Sequence, residues 1–160
     1  MATKVLGTLG NIDTLTIGGR VFTDLTNLII LEMTANTGSG VVYSTFRLSN
    51  SSSGYQVTSG KTFTIYAIQA TSLTSTARIS LGYGNTDVGN DSSSAPTSFV
   101  AEGHLIVAAS PSAEPPRMII GGGSIVNFVA NFSIPSLKYP CFVSDGSGFQ
   151  GSAFIYGYEV

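Results

Sequence analysis

The chain has 160 residues, seven of them basic and nine acidic, for a net charge of −2. Charged residues are 10% of the chain, against about a quarter in an ordinary soluble domain. No two Lys or Arg are neighbours in sequence, which argues against nucleic acid and an anionic membrane surface as partners.

Mean hydropathy is +0.29, high for a monomer kept in solution by its charges. Cys141 is the only cysteine, so no disulfide can form within the chain. Apolar runs such as Leu28 to Leu31 are far short of the ~20 residues that cross a bilayer. Met1 to Gly7 lacks the apolar region of a signal peptide, so synthesis in the cytoplasm is expected. The length suits one domain, residues 1–160.

In chain order, residues 1–22 read as an N-terminal arm that contacts other subunits. It ends in a tight hairpin, Leu15-Thr16-Ile17 and Arg20-Val21-Phe22 about Gly18-Gly19. Leu25 to Ala35 reads as a strand buried on both faces, with a short helix capped by Thr23 or Asp24 as the alternative. Val41 to Leu48 alternates as one strand and brings Arg47 near Glu32 across the preceding turn. Thr62 to Gln69 is a strand with Phe63, Ile65 and Ala67 on one side. Ala77 to Tyr83 is half-buried, and Asn85 to Ser98 is a long polar loop.

Further strands follow around His104 to Val107, Val126 to Phe132 and Phe154 to Val160, the last with Phe154, Tyr156, Tyr158 and Val160 on one face. Short strands with turn signals between them, and no room for a helical crossover, predict an all-β fold. The expected architecture is an antiparallel β-sandwich or barrel of jelly-roll or Greek-key type. VTSGK (57–61) and LGYG (81–84) are echoed by IPSLK (134–138) and IYGYE (155–159), which suits two matched Greek keys; chance similarity of two amphipathic hairpins is the alternative.

Catalytic chemistry has little to build on. His104 is the only histidine, and no serine lies in a G-x-S-x-G elbow. Cys141 has no basic neighbour to activate it and reads as a small core residue. Asn85, Asp87 and Asp91 carry oxygens at a spacing that can wrap calcium. Pro96 stands where the bidentate Glu would fall, and turn-forming chemistry explains the same residues. Gly146 to Gly151 fits G-x-G-x-x-G, but the helix a dinucleotide site requires has no place after it; it reads as a hairpin loop. Tyr83, Tyr156 and Tyr158 are candidates for stacking on sugars, or for a core or subunit face. No catalytic residue, metal site or cofactor is assigned.

The segments LTIGGRVF, VTSGKTFTIYAI and IPSLKYPCFVS, in a neutral Gly/Ser/Thr-rich background, resemble small virion proteins of tailed bacteriophages. Capsid decoration (cement) proteins and tail-fibre tips are examples. The resemblance transfers no site residue. It implies a non-enzymatic homo-oligomer, a trimer, located in the virion and bound to a major capsid protein. The alternative is a receptor- or carbohydrate-binding tail-fibre or adhesin module, with the loops Asn85–Ser98 and Ser110–Gly123 as its binding face.

Overall fold

The structure is a computed structural model that describes residues 14–17, 20–36, 40–72, 77–107, 124–146 and 150–160. The strands are β1 (Leu15–Ile17), β2 (Arg20–Phe22), β3 (Ile29–Asn36), β4 (Gly40–Thr45), β5 (Arg47–Leu48), β6 (Phe63–Ser72), β7 (Ala77–Gly84), β8 (Val100–Val107), β9 (Ser124–Ile134), β10 (Tyr139–Gly146) and β11 (Gln150–Glu159). All pairings between them are antiparallel. One sheet runs β5-β3-β11-β6-β9 and the other β4-β10-β7-β8, with β1-β2 as a separate hairpin. The β3-β11-β6-β9 and β4-β10-β7-β8 orders are those of a jelly roll.

The main core lies between the two sheets. Leu31, Met33, Phe63, Ile65, Ile68 and Ile155 from the larger sheet meet Leu81 and Phe142 from the smaller. A second cluster occupies the other face of the larger sheet. There Phe22, Leu28, Ala67 and Tyr156 are buried, with Leu15, Leu25, Ile30, Tyr66, Phe154 and Tyr158 packed around them. Strand periodicity explains the division: Ile155 points inward, while Phe154 and Tyr156 on either side of it point outward. The hairpin pairs as expected, Leu15 opposite Phe22 and Ile17 opposite Arg20. It lies on its own chain's sheet, and residues 1–13 and 18–19 of the expected arm fall outside the described residues.

Several expectations need correction. The Val41–Leu48 run is two strands in different sheets, broken at Phe46. The Phe46 N–H donates to Pro140 O and its carbonyl accepts from Tyr55 N–H, while its ring is fully buried. Arg47 does stand opposite Glu32 in the β3–β5 register. The region from Leu25 is a turn, Leu25–Asn27, followed by strand rather than helix. Ala67 does not share a face with Phe63 and Ile65, because β6 shifts register at Tyr66 against both β11 and β9. That bulge puts Tyr66 and Ala67 together on the outer side. The segment from Gly146 to Gly151 is not a hairpin loop, since β10 and β11 belong to different sheets.

The sequence echo has a structural counterpart. Thr58–Lys61 and Pro135–Lys138 are both turns in which the lysine N–H donates to the carbonyl three residues back, at 3.0 and 3.3 Å. Their third residues, Gly60 and Leu137, both have positive φ, 77° and 62°. The turns stand side by side: Val57 N–H donates to Lys138 O, and Leu137 N–H to Val57 O. Relating β3, β4, β6 and β7 to β8, β9, β10 and β11 converts the order β3-β11-β6-β9 into β8-β7-β10-β4, which is the other sheet. Gly82 and Gly157, matched by the echo, each sit at a register shift.

At Gly157 the space of a side chain is already filled. A Cβ there would lie 2.2 Å from Thr64 O and 2.8 Å from the Phe63 ring, with backbone and a buried aromatic both fixed. Gly157→Ala is expected to destabilise the fold by about 2–3 kcal/mol, as overpacking does, read from the urea midpoint at an unchanged m-value. An alanine variant of wild-type stability would contradict this packing.

Candidate functional site

The Asn85–Ser98 loop is tied to the smaller sheet along its free edge. Among the described residues β4 has no strand beyond it, and the loop fills the position: Tyr43 and Ser92 exchange two backbone hydrogen bonds at 2.8 and 2.9 Å. Thr45 N–H donates to Gly89 O at 2.8 Å. Val88 N–H reaches Thr45 Oγ1 and Asp91 N–H reaches Ser44 Oγ, each at 3.0 Å. The loop thereby covers an edge that would otherwise invite strand addition. Phe99 closes it, edge-on to Tyr43 at 5.6 Å and against Gly82.

The calcium candidates sit within this arrangement. Asp87 accepts from Gly54 N–H at 2.6 Å and from Gly89 N–H at 2.9 Å. Burial pushes its carboxyl up, but those two N–H groups, the Thr45 hydroxyl and the field of Arg47 outweigh it and hold the pKa below its ordinary value. Asn85 Oδ1 accepts from Lys138 Nζ. Turn and tether chemistry accounts for Asn85 and Asp87, and no group of three or more His, Cys, Asp or Glu able to hold a metal occurs among the described residues.

His104 lies in β8 opposite Ser80; its side chain is outside the described residues, as is all of Ser110–Gly123. Cys141 is fully buried, and burial pushes its thiol up to about 12, which makes it an unreactive packing residue. Tyr156 is buried too, its hydroxyl 3.2 Å from Gln69 Oε1, and its phenol is raised to about 12 by desolvation. Tyr83 packs against the main core. Of the three tyrosines read as stacking candidates, Tyr158 borders a cleft.

That cleft has about 460 Å³ and opens beside the hairpin. Its walls come from β2 (Arg20, Phe22), the turn after it (Asp24, Asn27), Tyr66 on β6, and the end of β11 (Tyr158, Glu159). The Arg20 guanidinium lies 4.4 Å from the Tyr66 ring centroid and 3.4 Å from Tyr66 O. Tyr158 stands edge-on to Tyr66 at 5.6 Å and tilted to Phe22 at 6.3 Å. Asp24 is fixed by Asn27, whose N–H and Nδ2 donate to its two oxygens at 3.2 and 2.9 Å. Desolvation first, then the Asp24 charge and Tyr66, raise the Tyr158 phenol, against the opposing field of Arg20.

Sequence reading missed this cleft, although two signals were present. Asp24-x-x-Asn27 follows a strand with turn chemistry. Ile65-Tyr66-Ala67-Ile68 interrupts strict alternation, which marks a bulge.

Glu159, beside the cleft, is committed to the fold. Tyr55 OH donates to its Oε1 at 2.5 Å and Thr58 N–H at 2.8 Å. Burial pushes its carboxyl up, but Thr58, Tyr55 and Lys61 together hold it below its ordinary value. Asp87 and Glu159 thus bind a proton less readily folded than unfolded. Their contribution is complete above the ordinary carboxylate range of about 4 and is lost as pH falls through the lower folded values. Asp87→Asn is expected to lower stability by about 1 kcal/mol at neutral pH and to match the wild type at the acid end. Urea midpoints from pH 7 to 2 read this; a constant gap at every pH would contradict it.

No family model matches this chain, and no curated protein or solved structure matches it.

Proposed function

We propose that the chain is a non-enzymatic structural protein of a phage-type virion, a decoration module that sits on the capsid as a closed homotrimer. The observation that carries this reading is how the few charges are spent. Asp24, Asp87, Glu159, Lys138 and Arg20 each bond to a partner in their own chain. Around them the described surface is rich in hydroxyls and amides, with Val21, Val41, Val100, Leu137 and Val160 exposed. Such a surface gives little charge repulsion between copies and suits contacts repeated over a shell. The covered β4 edge favours association through faces, and closed symmetry limits growth.

A second reading, a receptor- or glycan-binding tip, is favoured by the aromatic cleft. In the loop Asn85–Ser98, expected to form its binding face, Val88 to Ser92 bond to β4.

Purified protein mixed with shells of the phage that encodes it is expected to co-sediment at a fixed, saturable ratio to the major capsid protein. Sedimentation of the shells without it at saturating concentration would overturn the decoration reading.

A further inference from the structure

We propose that the cleft bounded by Arg20, Asp24, Asn27, Tyr66 and Tyr158 is a binding site for a short neutral glycan. This rests on the second reading, recognition, and is independent of the oligomer.

The site is built from the inside out. Phe22, fully packed on the second cluster, anchors β2 over the sheet. The bulge at Tyr66 keeps Ala67 on the same outer side as that ring, so the wall beside the hairpin is continuous. Arg20 then lies along Tyr66 and holds the ring against the hairpin. Tyr158, half-buried, is fixed edge-on by Tyr66 and flanked by Phe22. The floor is therefore aromatic and rigid before any ligand arrives.

The rim is polar in a particular way. Asp24 and Asn27 are exposed, yet each orients the other through two hydrogen bonds. A carboxylate has about four lone-pair sites, so capacity is left for hydroxyl donors. The Asn27 amide keeps its carbonyl oxygen as a further acceptor.

A pyranose presents a patch of C–H bonds on one face and a rim of hydroxyls around it. The first suits a tyrosine ring, and the second suits a planar carboxylate–amide pair. The volume, about 460 Å³, lies within the roughly 300–1,000 Å³ of small-ligand sites. Charge decides the class. The cleft holds two carboxylates, Asp24 and Glu159, against Arg20, whose guanidinium is stacked on Tyr66. An anionic sugar would meet the Asp24 carboxylate at the rim; a neutral one meets acceptors.

The test is binding of the full chain to immobilised neutral oligosaccharides (glucose-, galactose- and N-acetylglucosamine-containing) and to sialylated and uronate glycans. Asp24→Ala and Asn27→Ala serve as site variants, and Ser93→Ala, on the distant loop, as control. Thermal melts establish that each variant is folded, and amide chemical-shift mapping with the bound sugar locates the site without mutation. The expected result is saturable binding of a neutral glycan, weakened at least ten-fold in both site variants, unchanged in the control, with shifts at Tyr66 and Tyr158. Binding of a neutral glycan that is indifferent to both variants and maps elsewhere overturns the site but leaves the recognition reading. Preference for acidic glycans overturns the ligand class. Binding to none overturns the site and the recognition reading together.

Discussion

The middle of the larger sheet is dry on both sides, and the rest of the molecule answers to that constraint. On β11, Ile155 and Tyr156 point to opposite faces and both are fully buried. A sheet of this kind needs two covers. The smaller sheet supplies one, and the β1–β2 hairpin with the Leu25–Leu28 segment supplies the other. Each large side chain so buried contributes about 1.5–3 kcal/mol, which offsets the ordering entropy of a loop-rich chain. Few charges lie on the inner strands, and Glu32 on β3 stands opposite Arg47. Others lie at the rims, where Asp87, Glu159 and Lys138 act as ties between turns.

The two halves of the chain solve the same problem twice. Each contributes strands to both sheets, so neither half has a core of its own. The adjacent turns at Thr58–Lys61 and Pro135–Lys138 are the seam where the copies meet. The difference between them is informative. Gly60 adopts its positive φ freely, whereas Leu137 holds the same conformation against the steric penalty of a side chain and is left 52% exposed. The asymmetry continues in the sheets: the outer face of the larger is covered by a hairpin and becomes aromatic, while the β4 edge of the smaller is covered by a loop rich in Ser and Asn.

Much of the fold was legible in the sequence, because strand periodicity records which face is wet. The all-β class, the hairpin at Leu15–Phe22, the outward row Phe154-Tyr156-Tyr158 and the pairing of Glu32 with Arg47 follow from alternation and turn chemistry alone. What escaped is what alternation cannot encode. A run such as Val41–Leu48 keeps its pattern while the backbone changes sheets at Phe46. The bulge at Tyr66 shifts every outward residue after it by one place, so Ala67 was placed on the wrong face. The cleft brings together Arg20, Tyr66 and Tyr158, which are far apart in sequence, and no local pattern joins them. The loop from Asn85 carries residues that both make turns and bind ions, and its bonds to the β4 edge are made by backbone groups that no side-chain pattern records.

A chain with 10% charged residues, several of them bonded internally, keeps little repulsion between copies, and the proposed association then runs through neutral faces. Ionic strength separates this from assembly through surface ion pairs, which salt screens. The direct measurement is the molar mass in solution by light scattering at low and at about 1 M salt, where the Debye length is near 3 Å. The account predicts three times the chain mass under both conditions. A molecule that is monomeric at high concentration, or whose trimer falls apart in salt, contradicts it.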